Sequence, residues 1–136
     1  MAQINPYLSF EGNCIEVMNF YKDCLGGELT IQLVKDSPVA DKMPPPAQEQ
    51  VMHSSISVNG AVLLMASDLH RDKLNNGNTI SLCVNCDSEE QIRNFFTKFS
   101  VGGKIVDPLQ QSFWGATFGV LIDKYDKQWM FNYYKA

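Results

Sequence analysis

The sequence predicts an α+β fold made of two successive modules, each with the element order strand, helix and three strands. Helical periodicity occurs in two segments, and each segment is followed by two glycines and then by apolar stretches typical of strands. The segments "NFYKDCLGGELT" (19–30) and "NFFTKFSVGGKIV" (94–106) also align with one insertion, about 75 positions apart. Such a repeat predicts two similar modules packed about a pseudo-twofold axis, and their concave sheet surface is the natural place for a ligand.

The first module is expected to span about residues 4–67. It begins with the strand "INPYLSF" (4–10), and a helix follows Asn13, whose side-chain oxygen is suited to accept a hydrogen bond from a first-turn amide. Gly26 and Gly27 end this helix, because glycine enters the left-handed conformation without a Cβ penalty, and the strand "ELTIQLV" (28–34) comes next. The apolar face of the helix comprises Ile15, Val17, Met18, Tyr21 and Leu25.

A loop and a hairpin complete this module. Residues 35–48 include three consecutive prolines, which remove backbone donors, so we expect a loop that acts as a lid or contacts a partner. The segment "MHSSISVNGAVLLMAS" (52–67) predicts two strands around Asn59-Gly60, because both of these turn residues tolerate positive φ. A polar loop (68–77) leads to the second module.

The second module is expected to span about residues 78–134. After the strand "TISLCVN" (79–85), Asp87 or Ser88 caps a helix, with Glu90 or Gln91 reaching back to the cap. The buried face of this helix comprises Ile92, Phe95, Phe96 and Phe99. Three strands follow, in "VGGKIV" (101–106), "SFWGATFGVLI" (112–122) and "QWMFNYY" (128–134).

Composition restricts the class of protein. A chain of 136 residues with 45% hydrophobic and 19% charged residues is expected to form a single domain over 1–136. It has no apolar run near the roughly 18 residues of a membrane span, and residues 1–12 do not resemble a signal peptide, so we expect a cytoplasmic protein without a membrane partner. The net charge of −4 and the scattered basic residues argue against a nucleic-acid partner.

The four cysteines are expected to be reduced, since no secretory signal accompanies them. Cys83 and Cys86 form a C-x-x-C motif, but on a strand two residues three positions apart point to opposite faces. Redox pairs usually lie at a helix N-terminus, and a zinc site needs further ligands. We therefore expect neither a redox nor a metal role for this motif.

Three blocks of the sequence resemble the PhnB-like branch of the vicinal oxygen chelate superfamily. They are "INPYLSFEGNCIEVMNFYKDCLGGEL", "VMHSSISVNGAVLLMASD" and "FWGATFGVLIDKYDKQWMFNY", and they keep the family's order over nearly the whole chain. The resemblance implies a glyoxalase/bleomycin-resistance-type fold with a concave sheet cavity. Some members carry a demethylubiquinone methyltransferase label, but the sequence has no glycine-rich turn after a strand to hold adenosylmethionine.

The resemblance also implies where a metal would lie in the family's enzymes. Their ligands are His, Gln or Glu on strands, and the equivalent positions here fall near Asn5 or Pro6, Leu64, Thr79 and Met130. A register change of two residues on the last strand reaches only Gln128 or Asn132. None of these residues is a competent ligand for a hard or borderline cation, so no metal and no cofactor are expected.

His53 is the best candidate for a catalytic residue, because the PhnB-like branch often has a histidine at this position. An imidazole there could orient a ligand oxygen or transfer a proton, whereas the alternative is a half-buried histidine bonded to a backbone carbonyl. Trp114 could stack on a flat or cationic ligand or serve packing, and Trp129 is expected in the core. Asp126 replaces the glycine of the family's "D-x-F-G-x-x-W" turn, whose geometry aspartate tolerates.

The main functional hypothesis is that the protein is a homodimer and binds a small organic molecule without a metal. The acidic chain favours a planar cation as this ligand. One alternative is a metal-dependent lyase, isomerase or thiol transferase with reassigned ligands, such as His53 and a carboxylate from the partner subunit. Another alternative is a non-catalytic dimeric interaction module, so enzymatic activity is left open. The residues expected to line the cavity are Tyr7, His53, Ser55, Thr79, Trp114, Phe118 and Met130.

Overall fold

The computed structural model describes residues 2–135 and contains two helices and eight strands. The chain divides into two compact units at Asn75 and Asn76, and each unit contains one module. The first has β1 (Tyr7–Ser9), α1 (Cys14–Leu25), β2 (Glu28–Leu33), β3 (Val51–Val58) and β4 (Ala61–Ser67). The second has β5 (Leu82–Asn85), α2 (Glu89–Ser100), β6 (Lys104–Gln111), β7 (Ala116–Ile122) and β8 (Gln128–Tyr134).

Each module forms a four-stranded mixed sheet of the same topology. The strand order is β1-β4-β3-β2 in the first sheet and β5-β8-β7-β6 in the second. The first strand of each module runs parallel to the last, and the other neighbours are antiparallel. The repeated connectivity confirms the prediction of an α+β fold with two βαβββ modules. Neither helix is long and apolar enough to cross a membrane, as judged over residues 2–135.

Helix α1 buries a face that differs in part from the predicted one. Val17, Met18 and Tyr21 are fully buried as expected, but Ile15 is 42% exposed. Cys14 and Cys24 belong to the buried face instead, because positions 14, 17, 18, 21 and 24 follow the three- and four-residue spacing of one helical stripe.

The N-terminus of α1 is capped by a residue distant in sequence. Asn13 makes no side-chain capping bond, so that prediction is wrong. Instead, Asp68 Oδ1 accepts hydrogen bonds from the backbone amides of Gly12 and Cys14, at 2.8 and 3.0 Å. The carboxylate is the stronger partner, because a charged acceptor interacts favourably with the positive end of a helix. The second oxygen, Oδ2, accepts from the amide of Val51 at 2.9 Å, so one side chain joins the starts of α1 and β3.

The connections in module one are ordered by local hydrogen bonds. The predicted loop at 35–48 contains single 3-10 turns, and Gln48 Nε2 holds two of them together by donating to the carbonyl oxygens of Ala40 and Met43. The hairpin between β3 and β4 turns at Asn59 and Gly60, with φ values of 52° and 82°. These positive values confirm the turn predicted from the Asn-Gly pair.

Helix α2 has the predicted capping box. Ser88 Oγ accepts from the Gln91 amide at 3.0 Å, and Gln91 Oε1 accepts from the Asp87 amide at 2.7 Å. The helix packs through Phe99, whose ring centroid lies 4.5 Å from that of Trp129. Trp129 is 3% exposed, which confirms its expected place in the core.

Strand β5 is shorter than predicted. The sequence suggested a strand from Thr79, but pairing with β8 covers only Leu82 to Asn85. Since β8 begins at Gln128, the residues before Ser81 have no neighbouring strand to pair with. Thr79 therefore lies in an exposed bend outside the sheet.

Candidate functional site

The first sheet has one face covered by α1 and one open face. Ser54 points to the helix, since its hydroxyl lies 3.6 Å from Cys14 Sγ. His53 and Ser55 alternate with Ser54 along β3 and therefore point to the open face. Tyr7 joins them there, because Tyr7 lies opposite Met65 and Met65 lies opposite Ser55. The structure thus brings three of the predicted site residues to one surface.

Tyr7 and His53 form a direct pair on this open face. The Tyr7 hydroxyl lies 3.3 Å from His53 Nδ1, and the ring centroids are 5.8 Å apart. When the hydroxyl donates to Nδ1, the neutral imidazole carries its proton on Nε2 and presents that N–H as a donor. His53 is exposed and has a side chain as its partner, so the alternative of a half-buried histidine bonded to a backbone carbonyl is wrong.

The open face of the second sheet carries other predicted residues. Trp129 and Phe131 face α2, as the ring contacts of Phe99 with both of them show. Met130 alternates with these residues along β8 and points to the opposite face. Phe118 lies opposite Asn132, two positions from Met130, and so shares that face.

Trp114 is held beside Phe118 by the tip of the β6–β7 hairpin. In this tip the Ser112 amide donates to the Ala116 carbonyl at 2.7 Å, and Ser112 Oγ accepts from the Ala116 amide at 3.1 Å. The rings of Trp114 and Phe118 meet edge to face with centroids 5.3 Å apart. Because Trp114 remains 43% exposed, the pair can offer aromatic surface to a planar molecule.

The positions at which the family's enzymes carry metal ligands do not fit a metal here. Leu64 is 2% exposed and lies on the helix side, opposite buried Ile56, so the position expected for a carboxylate does not reach the open face. Asn5 donates its side-chain amide to the Val62 carbonyl, and Thr79 lies outside β5. Within residues 2–135, no three His, Cys, Asp or Glu side chains are grouped suitably to hold a metal ion.

One prediction about site residues therefore needs correction. Thr79 is not brought to the open face of the second sheet, because it precedes the paired part of β5. On β4, the residues with open-face parity are Leu63 and Met65, which flank Leu64. Neither offers the oxygen or imidazole ligand that a hard or borderline cation prefers.

The thiols do not form a reactive pair. Burial raises the pKa of the Cys86 thiol to about 11, with the negative charge of Asp87 as a smaller cause. Burial also raises the pKa of Cys83, whose side chain points to the face opposite that of Val84. A thiol with a raised pKa is a poor nucleophile near neutral pH, because little thiolate is present.

An amide pair on the second sheet was missed as a site feature. Asn132 is only 8% exposed, and its Nδ2 lies 3.3 Å from Asn85 Oδ1 on the neighbouring strand. The sequence signal was the alternation that places Asn132 on the same face as Met130. Asn132 was considered only as an alternative metal position, and its partner depends on the pairing of β5 with β8.

Comparison with known proteins identifies relatives over the whole length. The family model described as 3-demethylubiquinone-9 3-methyltransferase matches residues 2–131. Protein PA1353 from Pseudomonas aeruginosa is 33% identical, with full coverage of both chains and a TM-score of 0.86. A putative 3-demethylubiquinone-9 3-methyltransferase, PhnB protein, from Bacillus cereus is 28% identical, with coverage of 97% of this chain and 99% of that chain and a TM-score of 0.69.

A more distant structure shares the fold alone. A glyoxalase/bleomycin resistance protein/dioxygenase family enzyme from Burkholderia phytofirmans PsJN is 10% identical, with coverage of 96% of this chain and 97% of that chain and a TM-score of 0.67. This similarity agrees with the two mixed sheets and the repeated module order.

The description of the matching family implies adenosylmethionine, which the turns of this chain do not suit. Over residues 2–135, the strand-to-helix connections are 10–13 and 86–88, and they contain a single glycine, Gly12. Neither forms the glycine-rich turn that brings backbone amides close to a nucleotide cofactor. The chain belongs to the 3-demethylubiquinone-9 3-methyltransferase family, in its PhnB-like form, and has the glyoxalase/bleomycin-resistance fold.

Proposed function

We propose that this protein binds a small organic molecule, without a metal ion, on sheet faces that its own helices leave open. The observation that carries the proposal is the Tyr7–His53 pair, which lies with Ser55 on the open face of the first sheet. Hydrogen-bonding side chains fixed on a rigid sheet are typical of sites that orient a ligand.

The Tyr7–His53 pair defines what the first face can bind. In the tautomer in which the Tyr7 hydroxyl donates to Nδ1, Nε2–H is the group available to a carbonyl, carboxylate or ether oxygen of the ligand. Ser55 adds a hydroxyl two positions along β3, and Thr30 lies opposite Ser55 on β2. We infer that this face orients an oxygen atom of the ligand, with His53 as the main donor and Tyr7 as its positioning residue.

The second sheet supports binding of a flat ligand. Trp114 and Phe118 form an aromatic wall, and Met130 contributes a polarizable side chain to the face that Phe118 occupies. These residues could bind a planar molecule through stacking and dispersion.

The proposal includes a homodimer in the cytoplasm. Large apolar side chains remain exposed on and near the edge strand β6, where Val101, Ile105 and Val106 are 60%, 49% and 47% exposed. Exposed apolar groups of this kind often mark a surface that another chain covers. Sedimentation velocity over a dilution series tests the dimer, and a monomer at all concentrations would remove it from the proposal.

A ligand screen with matched variants tests the binding function. Saturable quenching of tryptophan fluorescence identifies ligands, and the affinity of each hit is then measured for His53→Phe, which keeps a ring but has no donor, and for Tyr7→Phe. Loss of one hydrogen bond is expected to weaken binding about tenfold in His53→Phe and several-fold in Tyr7→Phe. His70→Phe, in an exposed loop, and Tyr125→Phe, in the β7–β8 turn, remove the same groups elsewhere and should leave affinity unchanged.

Two results would contradict the proposal. One is the absence of saturable binding across the screen, and the other is binding that His53→Phe and Tyr7→Phe leave unaltered. Affinity is also expected to be the same before and after dialysis against a chelator. A ligand that binds only when a divalent metal is supplied would favour the metal-dependent alternative.

A further inference from the structure

A row of side chains crosses the open face of the second sheet. Gln110 on β6 lies opposite Phe118 on β7, and Phe118 lies opposite Asn132 on β8. Asn132 in turn lies opposite Asn85 on β5. Residues opposite one another in a sheet point to the same face, and neighbouring strands are about 4.8 Å apart. The row therefore contains one aromatic ring and three side-chain amides, and two of the amides, Asn132 and Asn85, are direct neighbours.

The two amides satisfy each other only in part. Asn132 Nδ2 donates to Asn85 Oδ1 at 3.3 Å, and no other hydrogen bond joins these side-chain amides to residues 2–135. Asn132 Oδ1 remains an available acceptor, and Asn85 Nδ2 remains an available donor. An exchange of oxygen and nitrogen in both amides would leave the same pair of functions, one acceptor and one donor.

Burial makes the free acceptor selective. Asn132 is 8% exposed, so water competes weakly for its oxygen, and a ligand that fails to donate there would leave a polar group unpaired. Asn85 is exposed, which leaves the pair accessible from its β5 side. A partner with a donor and an acceptor on adjacent atoms would satisfy both amides at once.

The surroundings favour an uncharged planar ring. Trp114 contacts Phe118 edge to face, so Asn132 has an aromatic wall suited to stacking on its β7 side. The row itself contains no charged residue. On β6, the acidic side chain nearest in sequence to Gln110 is Asp107, which lies opposite Val120, two positions from Phe118 on β7, and so belongs to the next row on the same face. The acidic net charge favours a cation in general, but the groups at this row offer neutral hydrogen bonds.

We propose that the Asn85–Asn132 pair and the Trp114–Phe118 wall form a subsite for a planar, neutral ring that carries an N–H donor next to a carbonyl acceptor, as in a lactam. The ring N–H donates to Asn132 Oδ1, Asn85 Nδ2 donates to the carbonyl, and the ring stacks against the aromatic wall. This inference rests on the proposed binding function and names the chemical class of its ligand.

Three matched probes test the subsite by ligand-observed NMR titration of the full chain. Isoquinolone has the lactam edge, N-methylisoquinolone lacks the donor, and N-methylisoquinolinium has a similar ring with a positive charge. Isoquinolone is expected to bind about tenfold more tightly than its N-methyl form, because one neutral hydrogen bond distinguishes them. The preference should disappear in Asn85→Leu and in Asn132→Leu, and it should persist in Asn94→Leu, a matched change on the exposed surface of α2.

The exposed Asn85 keeps the test informative if the buried Asn132→Leu variant folds poorly. Equal affinity for the two lactams, or tighter binding of the cation, would overturn this inference and leave the proposed function standing. Binding of screen hits without binding of any of the three rings would also overturn the inference alone. If no compound in the screen binds either, the proposed function fails together with it.

Discussion

Asp68→Asn should destabilise the first module more than any conservative surface change. The carboxylate is 3% exposed and accepts three backbone amides, from Gly12, Cys14 and Val51, at 2.8, 3.0 and 2.9 Å. In the asparagine variant one oxygen can still accept from the start of α1. The new amide nitrogen then faces the amide of Val51, donor against donor, and the negative charge at the helix N-terminus is lost.

The magnitude follows from the number and burial of these bonds. A hydrogen bond to a charged acceptor contributes about 1.5 to 3 kcal/mol. Cys14 and Val51 are fully buried, so water cannot easily replace the carboxylate as the partner of their backbone amides. We expect Asp68→Asn to lower the free energy of unfolding by about 2 kcal/mol. Asp68→Ala, which removes all three bonds, should lower it by at least about 4.5 kcal/mol, a large fraction of the stability of a small domain.

Urea unfolding followed by circular dichroism measures this effect. A loss of about 2 kcal/mol corresponds to a decrease of roughly 1 to 2 M in the urea midpoint. Asp72→Asn makes the same chemical change in an exposed loop and serves as the control. Unfolding of Asp68→Asn within about 0.5 kcal/mol of the Asp72 control would show that the carboxylate is not the link between α1 and β3.

Other expectations concern a glycine and two thiols. Gly27→Ala should lower the free energy of unfolding by about 1 to 3 kcal/mol more than Gly26→Ala, as measured by thermal unfolding. Both glycines have positive φ, but only at Gly27 would an added Cβ meet the Ser57 carbonyl oxygen. Equal losses of stability in the two variants would contradict this expectation. Burial raises the pKa of the Cys14 thiol to about 11 from 9.0, so between these pH values the thiol stays protonated in the native state and loses its proton in the unfolded state. The free energy of unfolding should therefore fall by up to about 2 kcal/mol as pH rises from 9 to 11. Cys14→Ala should reduce this loss of stability at high pH. If stability depends on pH in the same way in the variant and the native protein, the loss does not come from Cys14. Alkylation mapped by mass spectrometry should modify the exposed Cys83 before the buried Cys14. The rate of Cys83 alkylation should still increase above pH 9, because partial desolvation raises the pKa of the Cys83 thiol.

Part of the site followed from strand periodicity, and part of it did not. The alternation along β3 predicts that His53 and Ser55 share a face, and the continuous strand from Val51 to Val58 places both on the side opposite to Ser54. The prediction that Thr79 lies on a strand and lines the site is wrong, because the extent of β5 depends on where its partner strand β8 begins. The burial of Leu64 does not follow from the sequence for a related reason, since only the packing of α1 decides which face of β4 is buried.

The sequence by itself determined the features whose causes lie within a few residues. The Asn59-Gly60 turn, the capping box of Ser88 and Gln91, and the repeat of module order are set by local conformational preferences and hydrogen bonds between near neighbours. Tertiary structure alone decided which distant groups meet. Asp68 and Cys14 are separated by 54 positions, and Tyr7 and His53 by 46, so no local preference specifies either contact. These pairs form because strand pairing and helix packing bring remote segments together, and that register is a property of the whole fold.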